Sequence, residues 1–144
     1  MPAAFWDTSA LIPICVYEPT SPVVDALSLQ FSQVVWWGTF AEMHGAIARA
    51  LRSGAIDTLA AQASLQVMAE LSRKWDEILP SLSLRDYACD MLDAHPLRAA
   101  DSLQLAAALI WCSGRTAGRT FISGDARLCA AAKLEGFTVI QIKP

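Results

Sequence analysis

The chain has 144 residues, enough for one sizeable hydrophobic core and too few for two well-built ones, so a single domain spanning residues 1–144 is expected. Hydrophobic residues make up 54% and charged residues 17%, which excludes a disordered chain and leaves more apolar surface than so small a monomer readily hides. Eleven basic against fourteen acidic side chains give a net charge of -3, which excludes a grip on nucleic acid by bulk positive charge; any such chemistry must be local.

Ala3 to Trp6 is a short apolar run that ends at Asp7 and leads into Thr8-Ser9-Ala10-Leu11, the pattern of a strand passing into a helix. Ser21-Pro22 opens a second helix through Val23, Val24 and Leu27, and a second strand is expected at Val34 to Trp37. Thr39-Phe40-Ala41-Glu42 has the form of a capping box, opening a helix that presents Met43, Ile47 and Leu51 and stops at Gly54. Another helix is expected from Thr58 to Lys74. A weak third strand falls around Ile78-Leu79, where Pro80 confines it to a sheet edge or a strand end. Ser83 is expected to cap a helix that ends before Pro96, and the almost wholly apolar stretch from Ala100 to Cys112 reads as a buried helix with Asp101 in its first turn. Arg119 to Ser123 reads as a strand, Gly124-Asp125 as a turn, Ala126 to Glu135 as a helix ended by Gly136, and Phe137 to Ile142 as the last strand.

Strands alternating with helices imply a parallel sheet covered on both faces, an α/β fold in the form of a three-layer α/β/α sandwich. In such sheets the active crevice lies beyond the carboxyl ends of the strands, where Asp7 and Asp125 both fall. The cysteines Cys15, Cys89, Cys112 and Cys129 lack a Cys-x-x-Cys pair and sit in apolar helical contexts, as buried thiols of a cytoplasmic protein would. The apolar N-terminal stretch lacks a basic leader, and no run is long enough to span a bilayer, so no membrane association is expected. The five tryptophans, Trp6, Trp36, Trp37, Trp75 and Trp111, suit core packing and, with the apolar excess, a homodimer interface.

Taken one at a time, Asp7, Asp101 and Asp125 suit helix caps, and Glu42 completes the capping box begun by Thr39. Taken together, two of these acids follow strands expected to be neighbours, and two open helices that can lie over the same sheet edge. Converging carboxylates repel one another and raise their own pKa values unless a cation offsets them. All-oxygen ligands favour magnesium or manganese over zinc or copper. His44 and His95, the only histidines, cannot build a zinc site with scattered cysteines and read as structural or surface residues. Asp90 and Asp93 read as solvated helix-face residues.

Asp7-Thr8-Ser9-Ala10-Leu11, Glu42 early in its helix, the stretch from His95 through Leu97-Arg98-Ala99-Ala100-Asp101 to Ala106, and Phe121-Ile122-Ser123-Gly124-Asp125-Ala126-Arg127-Leu128 occur in the order found in PIN domains. The chain resembles this family over essentially its whole length, and within it the VapC-type toxins. The resemblance implies that Asp7, Glu42, Asp101 and Asp125 are acidic metal ligands, with Ser9 a supporting hydroxyl. Ser123, where family members commonly have threonine, would support Asp125.

The implied activity is that of a magnesium- or manganese-dependent endoribonuclease, in which a bound ion activates water for in-line attack on an RNA phosphodiester. The implied partners are an RNA substrate, a small cognate antitoxin that covers the active site, and a second copy of the chain. Arg49, Arg52, Arg98, Arg115, Arg119 and Arg127 are candidate phosphate contacts. A housekeeping PIN ribonuclease would use the same residues. An aspartyl-phosphate phosphatase would carry a second aspartate two residues after the first, where this chain has Ser9, and a binding module on a degenerate fold would not need all four acids.

Overall fold

The computed structural model describes residues Met1–Pro144. Its strands are β1 (Ala3–Trp6), β2 (Ser32–Trp36), β3 (Asp76–Ile78), β4 (Thr120–Ser123) and β5 (Thr138–Gln141). Between them run α1 (Thr8–Cys15), α2 (Ser21–Ser28), α3 (Thr39–Arg52), α4 (Thr58–Ser72), α5 (Leu82–Ala94), α6 (Ala99–Trp111) and α7 (Ala126–Leu134). The strands form one five-stranded sheet in the order β3-β2-β1-β4-β5, and every neighbouring pair is parallel.

Alternation along the strands explains the three layers, because successive side chains point to opposite faces. Phe5, Val34, Trp36 and Phe121 lie in one core with residues of α5, α6 and α7. Ala4, Trp6, Val35 and Ile122 lie in the other with Leu11, Val24, Met43 and Met68 of α1 to α4. The expected α/β/α sandwich is therefore the fold observed. Phe5 and Phe121 stack across the β1–β4 pair with ring centroids 5.4 Å apart, which ties the two strands that deliver Asp7 and Asp125. The chain leaves β1 toward β2 on one side and returns to β4 on the other, so the strand order reverses at this pair and opens a crevice at its carboxyl edge.

Several local expectations are corrected. The capping box is not formed: Gly38 precedes the first helical residue of α3, Thr39 is fully buried, and neither its hydroxyl nor Glu42 makes a capping hydrogen bond. Helix α5 is capped by Ser81, whose hydroxyl accepts from the Leu84 amide at 3.0 Å, rather than by Ser83. Both serines are suitable caps; Ser81 continues the extended backbone that leaves Pro80, and starting there gives α5 additional helical residues. The third strand does lie at the sheet edge, but spans Asp76–Ile78 instead of centring on Ile78-Leu79. Cys89 is exposed on α5, against the expectation of a buried thiol, whereas Cys112 and Cys129 are buried. No helix is long and apolar enough to cross a membrane.

Candidate active site

The carboxyl edge of the β1–β4 pair carries an open cavity of about 350 Å³ whose lining includes Asp7, Thr8, Ser9, Glu42, Arg49, Asp101 and Asp125. The fold thus brings all four predicted acids, and Ser9, to one place. Each arrives from a different place: Asp7 directly follows β1, Glu42 lies in the first turn of α3, Asp101 in the first turn of α6, and Asp125 caps α7.

Asp7 is 5% exposed, and its backbone amide continues the sheet by donating to the Ile122 carbonyl at 2.9 Å. Its Oδ2 accepts from the Ser9 hydroxyl and, at 2.8 Å, from the fully buried Ser123 hydroxyl. Both hydroxyls also tie down the β4–α7 turn: Ser9 Oγ accepts from the Gly124 amide at 2.8 Å, and Ser123 Oγ from the Asp125 amide at 3.0 Å. Ser9 thus hydrogen-bonds the Asp7 carboxylate. Ser123 bonds the side chain of Asp7 and only the backbone of Asp125, which changes the partner expected for it. Asp7 does not act as a cap, for its side chain makes no hydrogen bond to α1; Asp125 does, accepting from the Leu128 amide at 3.0 Å.

Glu42 is held from beneath by residues that the sequence pattern did not single out. Gln104 is 1% exposed on α6, with its Nε2 2.8 Å from Thr8 Oγ1, 3.0 Å from Thr39 Oγ1 and 3.0 Å from Glu42 Oε1. An amide nitrogen has two hydrogens, so two of these three acceptors are served at once, and the Thr8 hydroxyl, 3.0 Å from Thr39 Oγ1, relays within the group. Gln104 Oε1 is left without a partner. Turning the amide over would put the carbonyl oxygen against the Glu42 carboxylate, which explains why the nitrogen faces the acid and the oxygen bears the cost of burial. One signal was available in sequence: a glutamine inside an otherwise apolar helix needs a buried polar partner.

Burial is the largest cause of a raised pKa at Asp7, Glu42 and Asp101. The Ser9 and Ser123 hydroxyls pull Asp7 back down, and Gln104 does the same for Glu42. Negative neighbours push up: Asp101 and Asp125 on Asp7, Asp7 and Asp101 on Glu42, and Asp125 on Asp101. The four acids therefore feel one another's charge. No three of them stand close enough to enclose one ion as a ready-made shell. Their chemistry nonetheless fits a hard divalent cation, since all are oxygen donors and each carboxylate charge in the cavity opposes the others.

His95 caps the end of α5 with a shielded side chain, its Nε2 2.7 Å from Glu135 Oε2, and ties the end of α5 to the end of α7. His44 is exposed, as are Asp90 and Asp93, and none of these lines the cavity. Arg52, Arg115 and Arg119 also lie outside it, and Arg119 sits over the Trp111 ring, 5.1 Å from its centroid.

No protein-family model and no curated protein matches the sequence. Solved structures share the fold. A chain of a toxin-antitoxin complex from Klebsiella pneumoniae is 16% identical, with a TM-score of 0.65 over 96% of this chain and 97% of that one. A chain of VapBC2 from Rickettsia felis, solved bound to a DNA fragment from its promoter, is 9% identical, with a TM-score of 0.64 over 98% and 99%. A chain of FitAcB from Neisseria gonorrhoeae is 15% identical, with a TM-score of 0.65 over 96% of each.

Proposed function

We propose that the protein is a PIN-type endoribonuclease that uses magnesium or manganese, and that it is the toxin of a toxin-antitoxin pair. The observation that carries the enzymatic part is the meeting of Asp7, Glu42, Asp101 and Asp125 around one open cavity at the reversal of strand order. Support for the toxin role comes from the fold shared with chains of toxin-antitoxin complexes, which also favours it over a housekeeping nuclease.

The chain's own residues prepare the site. Ser9 and Ser123 both bond Asp7 Oδ2, which fixes the carboxylate and leaves Oδ1 without a protein donor. Gln104 fixes Glu42 through Oε1, leaving Oε2 as the freer oxygen. Asp101 and Asp125 line the same cavity from the starts of α6 and α7 and offer further oxygen donors. Asp7, Glu42, Asp101 and Asp125 would hold a divalent ion here, which would lower the pKa of a water and neutralise charge on the phosphate. Ser9 stands where a phosphatase of the aspartyl-phosphate type would need its second acid, and it is committed to Asp7.

The test is cleavage of single-stranded or looped RNA by purified protein with magnesium or manganese, repeated with EDTA. Chelation is expected to abolish cleavage, and full activity in EDTA would sink the proposal. For the biological role, expression alone should slow growth, and co-expression of a small neighbouring protein should relieve it. Harmless expression of folded, RNA-cleaving protein would favour the housekeeping reading.

A further inference from the structure

The acidic cavity does not end at its acids. Asp101 and Asp125 also line a second, adjoining cavity of about 720 Å³, shared with Pro96, Arg98, Ala100, Ala126 and Arg127. The two spaces form one groove with those aspartates at the junction. Arg98 precedes α6 and Arg127 lies in the first turn of α7, both exposed, and both lower the pKa of Asp101 by their charge. Neither is in an ion pair, for the one side-chain pair in the protein joins His95 to Glu135.

Arg49 stands at the other end of the groove, in the lining of the acidic cavity and two turns along α3 from Glu42. Its guanidinium lies back across Gly45, where an added Cβ would come within 3.3 Å of Nη1. The side chain thus reaches toward the start of α3 and the acids, the direction helical side chains favour.

We propose that Arg49 on one side of the carboxylates, and Arg98 with Arg127 on the other, are phosphate-binding ends of a track for single-stranded RNA. The inference rests on the nuclease reading above and adds the path of the substrate: the scissile phosphate lies over the acids, and its neighbours along the strand lie on the arginines. Planar guanidinium groups match phosphate oxygens in a forked geometry. Three local positive charges also explain how a chain of net charge -3 holds a polyanion. The second cavity offers only Pro96, Ala100 and Ala126 as apolar lining, with no aromatic ring for a base to stack on and no pocket for a large anchor of a protein ligand. The track therefore reads backbone rather than base.

The experiment measures kcat and KM for cleavage of a short fluorescent single-stranded RNA, with manganese present, across a series of salt concentrations. The proteins compared are wild type, R49A, R98A/R127A, R98K/R127K and R73A, the last removing an exposed charge beyond α4. Thermal melts establish that each is folded. The alanine variants should lose about 10-fold or more in kcat/KM, chiefly through KM. The slope of log kcat/KM against log salt should become shallower by about 0.7 for each phosphate no longer neutralised. The lysine pair should keep the slope of wild type, and R73A should match wild type throughout. Wild-type KM and slope in R98A/R127A or in R49A would overturn the track, as would a lysine pair no better than the alanine pair. Unchanged RNA kinetics with weakened binding of an antitoxin peptide would assign the groove to the peptide and overturn it as well. Wild type that cleaves no RNA would instead refute the nuclease reading, and the track with it.

Discussion

Asp7 illustrates how a single buried acid couples site and stability. Burial and the charges of Asp101 and Asp125 raise its pKa above the ordinary aspartate value despite two hydroxyl donors. A raised native pKa means that the folded protein holds the proton to higher pH than the unfolded chain does. Stability from this group is then full below the unfolded pKa and lost as pH rises through the folded one. In EDTA, wild type should therefore melt lower at neutral pH than in the mildly acidic range, and Asp7→Asn should melt at or above wild type at neutral pH, the gap narrowing on acidification. Added magnesium should reverse the order at neutral pH, because a ligand that binds only the native state favours the protein that binds it better. Activity of the variant should fall by about 100-fold or more through loss of a metal ligand. A variant that stays active and metal-stabilised would remove Asp7 from the site. For Gln104, replacement by leucine removes the donor to Glu42, and manganese affinity measured by calorimetry should weaken by about 10- to 100-fold. Unchanged affinity would show that Glu42 needs no such support.

Helix α6 serves two of the acids at once, which makes it the element on which the site most depends. Its first turn places Asp101 at the cavity, Gln104 one turn on lies beneath Glu42, and Leu105 to Ala108 are fully buried in the core shared with the sheet and α5. The small side chains let the helix lie close to the sheet, which fixes the position of its N-terminal acid. Ala107→Leu should cost about 1–3 kcal/mol by overpacking, read as a lowered denaturation midpoint, and should lower activity by displacing Asp101. Wild-type stability and activity would show that the core there has room. The C-terminal end of α7 has a similar constraint: Gly136 adopts φ +101°, and a Cβ would come within 2.5 Å of Thr116 Oγ1, so only glycine ends this helix without displacing that loop.

At the scale of the whole molecule, the two cores consume most of the apolar sequence but not all of it. Trp6, Trp36 and Trp75 are buried, whereas Trp37 is 53% exposed and Leu79 62%, with Phe40 and Leu82 exposed as well. This exposed apolar remainder is surface that a second copy of the chain would cover. Light scattering at micromolar concentration should give twice the chain mass, and a monomeric mass would count against it.

The layered α/β/α architecture, and the acids to watch, were legible in the sequence because hydrophobic periodicity and strand-helix alternation are local signals that a parallel sheet amplifies. Asp7 and Asp125 could be placed at the active edge because Asp7 directly follows β1 and Asp125 lies one residue beyond β4. What local pattern could not decide was how side chains choose among partners. Thr39 and Glu42 form a good capping box on paper, yet folding brings Gln104, 65 residues from Thr39 in the chain, within reach of both. A buried amide offers them a better-shielded partner than a solvated helix end. The same applies to Ser123, whose hydroxyl turns to Asp7 across 116 residues of chain while taking only a backbone bond from its neighbour Asp125. Sequence determined which residues carry charge and the kind and order of the elements; only the tertiary structure, by juxtaposing β1 with β4 and bringing Gln104 of α6 to Thr39 and Glu42 of α3, decided which donors hold which acids.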